Sequence, residues 1–439
     1  MSKKTARLLA LLASLALLLA ACGGAAEEAG GGETEPAETS EPATDTTEAS
    51  TEETPEATGA GDGTLTIGTV LPETGSLAFL GPPEFAAAEL AVQDINEAGG
   101  VLGNDVVLNQ GDSGDTTTDI ANQTVDRHIE QGADVIIGAA SSAVSFTFID
   151  KVTGAGVVHF SPANTSPDFT DYEDRDLYFR TAPSDVLQGR VLGEFVIEEG
   201  CATVGMMALQ DPYGEGLLNN ASETISSSGG EVTDEIVYDP QAPNFDSEVQ
   251  QLVSSDPDCN ILIGFEESAL ILSTMFEQGL WEPEKDIYLV DGNVGNALGE
   301  QVDANMEGIK GTLPGSVASD EFQDQLLEVD PDLQDFSYAG ETYDSIIVSA
   351  LAAEVAGSDA GEQLAEEIPG VTKDGTKCMA FEECKQLVED GEDIDYDGQS
   401  GPIELSDEGD PQQANFQILA YDSENTVSVD ETREASIGG

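Results

Sequence analysis

The chain has 439 residues, 39% of them hydrophobic, and a formal net charge of −73 at pH 7. This length and hydrophobic content allow two globular domains of ordinary size. The charge excludes partners such as nucleic acid and anionic membrane surfaces, which would repel the protein. Basic residues are scarce along the whole chain, which favours a solvated acidic surface suited to a saline habitat.

Residues 1–21 have the pattern of a secretory signal peptide. Lys3, Lys4 and Arg7 precede an apolar run from Leu8 to Ala20, which is too short for a membrane-spanning helix. The run ends in Leu-Ala-Ala-Cys22, a bacterial lipobox, which predicts cleavage before Cys22 and lipid on its thiol. No later run is long and apolar enough to span a membrane. We therefore expect a protein anchored by lipid at the extracytoplasmic face of a bacterial cell membrane.

The segment 22–62 is predicted to be a disordered acidic tether. After Cys22 it consists of Gly, Ala, Glu, Asp, Thr, Pro and Ser, without an aromatic residue and without hydrophobic periodicity. Such a segment cannot bury enough apolar surface to fold, and its negative charges extend it.

A regular strand–helix alternation begins at Thr64. The nearly all-apolar strands predict a parallel sheet covered by helices on both faces. The strands of this first series are predicted at Leu65–Leu71, Val106–Gln110, Val135–Ala139 and Val157–Ser161, with Tyr178–Ala182 leading into the next series. The helices are predicted at Glu84–Ala98, Thr118–Gln131 and Ala143–Thr153.

A second series of similar size follows. Its strands are predicted at Val204–Leu209, Glu231–Tyr238, Ile261–Phe265 and Ile287–Val290. Its helices are predicted at Val186–Glu198, Gly214–Ser227, Phe245–Ser254 and Ser268–Gln278. Two successive units of this kind predict two lobes with a cleft between them.

The chain after Gly315 is mostly helical by pattern, and it is expected to return and complete both lobes. Helices are predicted at Glu321–Val329, Tyr338–Ala356 and Phe381–Glu389. The alternation in Gly401–Tyr421, interrupted by Asp-Glu-Gly-Asp, predicts a hairpin, and too few strands remain for a third sheet. The fold class is therefore α/β with two doubly wound lobes joined by a multi-strand hinge. Residues 63–182 plus 316–398 form lobe 1, and residues 183–315 plus 399–432 form lobe 2.

The loops that follow the predicted strands point to a binding site, because ligands of open parallel sheets lie beyond the carboxyl ends of the strands. Ser142 and Thr165 stand in loops rich in small and hydroxyl residues, which offer N–H and O–H donors to a carboxylate. Asp291 follows a strand of the second series and could hold an ammonium group. Together these residues describe a site for a zwitterion, although Ser142 and Thr165 could instead be plain helix caps.

Four cysteines besides Cys22 are candidates for disulfides in an exported protein. Cys378 and Cys384 are close enough in sequence to close a short loop, and Cys201 and Cys259 each precede a predicted strand. The pairing stays open at this stage. A metal site is not expected, because the chain has two histidines and no Cys-x-x-Cys.

Two other motifs have better alternative explanations. Gly111-Asp-Ser-Gly114 resembles a serine-protease motif, but the α/β pattern and the positions of His128 and His159 do not suit a nucleophilic triad. The acidic segment from Asp393 to Glu404 matches an EF-hand loop, which needs flanking helices. A strand pattern follows this segment, so we expect an acidic inter-lobe crossing with weak calcium binding or none.

These loops, taken in order, resemble the leucine/isoleucine/valine-binding protein family, the extracytoplasmic receptors of ABC transporters with the type I periplasmic-binding fold. The resemblance covers about residues 64–425. It is carried by Leu65-Thr-Ile-Gly-Thr-Val-Leu-Pro-Glu-Thr-Gly, Ser161-Pro-Ala-Asn-Thr-Ser-Pro, Tyr213-Gly-Glu-Gly-Leu and Asp395-Tyr-Asp-Gly-Gln-Ser-Gly-Pro.

The resemblance implies roles for seven residues. Ser142 aligns with a serine that binds the ligand carboxylate, and Ala163 and Thr165 align with a pair that contacts carboxylate and ammonium. Asp291 stands where family members place an acid for the ammonium group, one methylene shorter than the glutamate of close leucine binders. Tyr213 and Phe265 fall at aromatic positions of the closing lobe. Leu80 stands where leucine binders often have tyrosine, which changes the side-chain pocket.

The expected function is therefore binding of a branched-chain or related amino acid in the inter-lobe cleft by hinge closure, without cofactor, metal or catalysis. The implied partners are an ABC permease and its ATPase, and the expected state is a monomer. The alternative is a sensory protein of the same fold for an amide, urea or another small solute. The negative field should favour zwitterions or cations over anionic solutes.

Overall fold

The computed structural model describes residues 61–281 and 286–438. Cys22, the signal peptide and nearly all of the tether lie outside the described residues, so the predictions made for them are not addressed by the structure. No helix in the described ranges is long and apolar enough to cross a membrane.

The first sheet contains five parallel strands in the order β2-β1-β3-β4-β5. The strands are β1 (Thr66–Val70), β2 (Val107–Asn109), β3 (Val135–Gly138), β4 (Val158–Ser161) and β5 (Tyr178–Arg180). Residues of β3 alternate between two buried clusters: Val135 and Ile137 pack on one side, and Ile136 packs on the other. Both faces of the sheet are therefore covered, as the continuous apolar strands predicted.

The second sheet has seven strands, of which five adjacent ones are parallel, in the order β7-β6-β8-β9-β10. They are β6 (Thr203–Leu209), β7 (Glu231–Tyr238), β8 (Cys259–Ile263), β9 (Asp286–Leu289) and β10 (Lys310–Pro314). A separate two-stranded sheet, which the sequence pattern did not predict, pairs β11 (Thr376–Cys378) with β12 (Ile394–Tyr396) in parallel. The strands β13 (Gln413–Tyr421) and β14 (Val427–Ser436) then add to β10 as an antiparallel hairpin.

Helices connect the strands throughout the described residues. They are α1 (Gly81–Glu97), α2 (Ile120–Glu130), α3 (Ser142–Ser145), α4 (Ile149–Gly154), α5 (Asp185–Glu198), α6 (Pro212–Ser227), α7 (Asp246–Ser255), α8 (Ser268–Glu277), α9 (Asn296–Gln301), α10 (Asp320–Val329), α11 (Ala339–Ala356), α12 (Gly361–Ala365) and α13 (Phe381–Glu389), with a 3-10 helix at Pro167–Phe169. The chain passes between the two sheet systems after β5, after β10 and after β12. The fold is therefore two doubly wound lobes joined by three crossings.

Two predicted elements differ from the structure because of tertiary packing. The single helix expected at Ala143–Thr153 is divided into α3 and α4 at Phe148, whose φ of −134° is not helical. The nearby Phe146 ring stacks on Phe169 with ring centroids 4.0 Å apart. Within Gly401–Tyr421, the Asp-Glu-Gly-Asp turn is closed only by an isolated antiparallel bridge between Leu405 and Pro411, and the extended hairpin is β13–β14. The turn at residues 407–410 is held against the first lobe by Asp410, which forms a buried ion pair with Arg180.

The two disulfides in the structure join Cys201 to Cys259 and Cys378 to Cys384, with Cα–Cα distances of 5.7 Å and 5.4 Å. Cys259 begins β8, and Val204 of the neighbouring β6 lies opposite it in the sheet. The first disulfide therefore ties the amino ends of two adjacent strands, far from the loops at their carboxyl ends.

The start of the described chain is held by one carboxylate. Asp359, after the carboxyl end of α11, accepts hydrogen bonds from the backbone N–H groups of Asp62, Gly63 and Thr64 at 2.7–3.0 Å. We call this contact the Asp359 clasp. It fixes the approach of the chain to β1, which lies between β2 and β3.

Candidate functional site

The loops that leave the carboxyl ends of the strands in both sheets meet in one buried region. Leu77, Leu80, Ala140 and Ala163 from the first lobe belong to the same buried cluster as the core of the second lobe. The structure is therefore closed around the cleft, and loops from both lobes can contact one ligand.

The first lobe provides a cradle of hydroxyl and backbone groups. Ser142 and Thr165 are 2% and 1% exposed. Neither residue is the N-cap of a helix, because the Ser141 hydroxyl accepts the capping hydrogen bond from the N–H of Val144, and the Ser166 hydroxyl accepts the one from the N–H of Asp168. The Ser142 hydroxyl accepts the N–H of Ser166 at 3.3 Å, so its own proton remains available to a ligand. This arrangement suits a carboxylate, which only accepts hydrogen bonds.

A buried arginine holds this cradle from behind. The Arg180 guanidinium donates to the carbonyls of Asn164 and Ser166 at 3.2 and 2.8 Å, on either side of Thr165. It also donates to Asp410 at 2.6 Å, and its side chain has no solvent exposure. Arg180 thereby fixes the path of the loop and places a positive charge behind it.

Asp291, at the carboxyl end of β9, is the acid on the opposite side of the cleft. Its carboxylate accepts hydrogen bonds from Gln188 at 2.7 Å, Tyr213 at 2.8 Å and Tyr338 at 2.7 Å. Burial raises the pKa of Asp291, and these three donors oppose the rise. All three donors are neutral, so they orient the carboxylate without neutralising its charge.

A second buried acid lies near Asp291. Asp185 begins α5 and is 0% exposed. Burial raises its pKa well above the usual range and the charge of Asp291 raises it further, while the Thr165 hydroxyl and the charge of Arg180 oppose the rise. The backbone N–H of Asp185 donates to the carbonyl of Thr165 at 2.7 Å, so this acid directly adjoins the cradle. Two buried carboxylates thus lie beside the cradle of donors, and carboxylates are the hydrogen-bond acceptors that an ammonium group requires.

An aromatic wall and a cavity continue the site. Tyr213 and Phe265 stack with ring centroids 5.5 Å apart and planes 8° from parallel. Beyond Phe265 is a cavity of about 230 Å³, lined by Ser76, Ala78 and Phe79 from the first lobe, and by Phe265, Gly292, Ala297, Leu298 and Gln301 among others from the second.

The structure places six of the predicted site residues around the closed cleft, with Ser142, Ala163 and Thr165 on one side and Tyr213, Phe265 and Asp291 on the other. Leu80, the seventh, is 2% exposed and packs in the core, while its neighbours Ala78 and Phe79 line the cavity.

Sequence reasoning missed four residues of this region, namely Arg180, Asp185, Gln188 and Tyr338. Ser184-Asp185 follows β5 as other site loops follow their strands, and this position was a usable signal for Asp185. Tyr338 precedes α11, more than 40 residues from Asp291 along the chain, and nothing local marks it.

The residues set aside in the sequence have structural roles. His128 and His159 are buried, and each donates a ring N–H to a backbone carbonyl, of Thr69 and Gly138 respectively. Burial lowers the pKa of His159 to about 3. In the EF-hand pattern, β12 occupies Ile394–Tyr396, and Asp395 and Asp397 pair with Lys377. Across the residues that the structure describes, no group of three His, Cys, Asp or Glu could hold a metal ion.

The comparisons with known proteins agree with this geometry. The Leu/Ile/Val-binding protein homolog 1 of Brucella abortus (strain 2308) is 24% identical over 310 residues, which are 68% of this chain and 81% of that protein. The leucine-binding protein LivK of Thermotoga maritima superposes with a TM-score of 0.70 at 23% identity, over 84% of this chain and 98% of that structure. The isoleucine complex of LivJ from Streptococcus pneumoniae superposes with a TM-score of 0.69 at 20% identity, over 85% of this chain and 100% of that structure.

Each of these two superpositions shows the fold alone, because the sequence identities are low. The family model described as periplasmic binding protein matches residues 64–391, which include both sheets' parallel strands and the site residues described above except Asp410. The chain therefore belongs to the periplasmic binding protein family, whose members are solute-binding receptors.

Proposed function

We propose that the protein is a lipid-anchored extracytoplasmic receptor of an ABC importer, which binds a branched-chain or related amino acid in the cleft. The observation that carries the proposal is that one closed site contains both hydrogen-bond donors for a carboxylate and buried carboxylates for an ammonium group. Ser142 and Thr165 offer hydrogen-bond donors, and Asp185 and Asp291 present two buried carboxylates without a cationic hydrogen-bond partner among the described residues.

Binding follows from the position of these groups on different lobes. The ligand carboxylate accepts from the hydroxyl and N–H groups of the first-lobe cradle, while its ammonium group lies between Asp185 and Asp291. Asp291 and the Tyr213–Phe265 wall belong to the second lobe, so they reach the ligand when the crossings between the lobes close. Charge-assisted hydrogen bonds to both ends of the ligand stabilise the closed state, and no bond is made or broken.

The proposal keeps the lobe division expected from the sequence, 63–182 plus 316–398 and 183–315 plus 399–432, although residues 403–410 pack against the first lobe. In support, α11 packs on α1 of the first sheet system, and β13 pairs with β10 of the second. The signal peptide and Cys22 support the lipid anchor, and an anchored monomer would present its solute to an ABC permease and its ATPase. The names of the relatives that match this chain, which refer to leucine, isoleucine and valine, support an amino acid as the solute.

The test is calorimetric and thermal titration of the chain from residue 22 with Cys22→Ser, so that the protein stays in solution. A zwitterionic ligand at 100 times its dissociation constant should stabilise the protein by about 2.7 kcal/mol. Leucine should bind more tightly than glutamate, because the acidic cleft repels a second carboxylate. Tighter binding of glutamate would contradict this, and a response to amides or urea alone would transfer the proposal to a receptor or sensor for neutral solutes.

A further inference from the structure

The cavity beside the aromatic wall has no role in holding an amino or carboxyl group. We propose that it receives the side chain of the ligand, and that its size and lining select an aromatic side chain. This inference rests on the proposed function, since it needs the ammonium group of the ligand at Asp291.

The position of the cavity follows from the chain on both sides of Asp291. Gly292 lines the cavity, and its N–H donates to the Tyr213 hydroxyl at 3.3 Å, the same hydroxyl that donates to Asp291. Phe265 also lines the cavity and stacks on the ring of Tyr213. A ligand whose ammonium group contacts Asp291 therefore has the cavity directly beside it.

The volume of the cavity favours a ring. It measures about 230 Å³, and an apolar protein cavity of about 150 Å³ already binds benzene. A methyl or isopropyl side chain would leave much of this space unfilled, and the surrounding side chains would lose the contacts that stabilise a filled site.

The lining favours an apolar and uncharged side chain. Phe79, Phe265, Ala297 and Leu298 provide the apolar surface, and no Lys or Arg among the described residues lines the cavity. The amide of Asn293, which also borders it, is already bonded to the carbonyl of Leu262 and the hydroxyl of Ser268. Glu266 stands exposed at the border, so an acidic side chain would meet a like charge there.

The cavity forms only when the lobes are closed, because residues of both lobes line it. Gly75, Ser76, Ala78 and Phe79 come from the loop after β1, whereas the other lining residues follow β8 and β9. An aromatic side chain that fills the space contacts both lobes at once and thereby stabilises the closed arrangement in addition to the charged groups.

The experiment measures dissociation constants for phenylalanine, leucine and alanine on the chain from residue 22 with Cys22→Ser. Phenylalanine should bind about 10- to 150-fold more tightly than alanine, the range expected from burying a side chain of this size, and leucine should fall between them. Leucine binding as tightly as phenylalanine, or more tightly, would overturn the inference and leave the proposed function standing. Binding of none of the three would overturn the proposed function as well.

A variant that fills the cavity tests whether the free space in the cavity determines the affinity for phenylalanine. Ala297→Phe places a ring in the cavity and should weaken phenylalanine binding at least tenfold while alanine binding changes less than threefold. Ala380→Phe, the same substitution at an exposed residue outside the cavity, is the control and should change neither. An equal loss for both ligands in Ala297→Phe would contradict the assignment, and the wild-type ligand order tests it independently of whether this variant folds.

Discussion

Replacing Asp291 by asparagine should move ligand affinity and protein stability in opposite directions. The substitution keeps the size of the side chain and one oxygen that can accept from Gln188 or Tyr213. It removes the negative charge, which is buried close to the charge of Asp185 and has no cationic hydrogen-bond partner in the described chain.

The expected magnitudes follow from these contacts. The ligand ammonium loses one of its two carboxylates, and a hydrogen bond to a charged group contributes about 1.5–3 kcal/mol. The dissociation constant for an amino acid should therefore rise roughly 10- to 150-fold. The ligand-free protein should be more stable at neutral pH, because burial disfavours the charged form of Asp291, as its raised pKa indicates, and the charge of Asp291 raises the pKa of Asp185.

Calorimetry gives the affinity and urea unfolding without ligand gives the stability. The matched control is Asp134→Asn, because Asp134 is also a buried carboxylate whose pKa burial raises, to about 7. It bonds the N–H of Thr66 at the amino end of β1, away from the cleft, and should leave affinity unchanged. The reasoning would be refuted if Asp291→Asn bound amino acids as tightly as the wild type.

Three further results are expected from buried groups outside the ligand contacts. Burial raises the pKa of Glu341 to about 8, so this carboxyl contributes stability that is present at low pH and is lost as pH rises toward 8. Glu341→Gln should remove up to about 1.4 kcal/mol per pH unit of that decline between pH 5 and 8, measured by urea unfolding across pH. An unchanged dependence of the free energy of unfolding on pH would contradict the assignment. Arg180→Met leaves Asp410 buried without its cation and should cost about 3–5 kcal/mol in the free energy of unfolding, whereas adding Asp410→Leu should recover part of the loss; a double variant no more stable than the single one would oppose this account. Replacing Cys201 and Cys259 by alanine opens a loop with a sequence separation of 58 and should lower the free energy of unfolding by about 4 kcal/mol. This is about twice the loss expected from opening the Cys378–Cys384 disulfide. Equal decreases of the urea midpoint in the two variants would speak against loop length as the cause.

Much of the fold could be predicted because local patterns agree with the tertiary structure. The strand at Glu231–Tyr238 and the helix at Phe381–Glu389 occupy the predicted residues, since the β-branched residues of the strand and the helical periodicity of the helix were clear there. The prediction was wrong where distant contacts decide the conformation. Phe148 leaves the helical conformation next to the stacked rings of Phe146 and Phe169, and the turn before Asp410 is held by Arg180, more than 200 residues earlier.

The candidate site divides in the same way. Ser142, Thr165 and Asp291 follow strands and could be proposed from position and chemistry. Tyr338 could not, because its hydroxyl reaches Asp291 only through the path of the chain between β10 and α11. The roles of Ser142 and Thr165 in binding stay predictions, although the alternative that they cap helices is contradicted by the capping bonds of their neighbours.

The Asp359 clasp has a mechanical consequence. A pull on the chain from the amino-terminal side of Gly61 first loads the three hydrogen bonds that Asp359 makes to residues 62–64. Only after these break does the load reach β1, whose backbone is bonded on both edges to parallel neighbours. Tension along β1 must shear both ladders together, which resists more force than opening bonds one at a time. The body should therefore keep its shape under a load that arrives through its amino terminus.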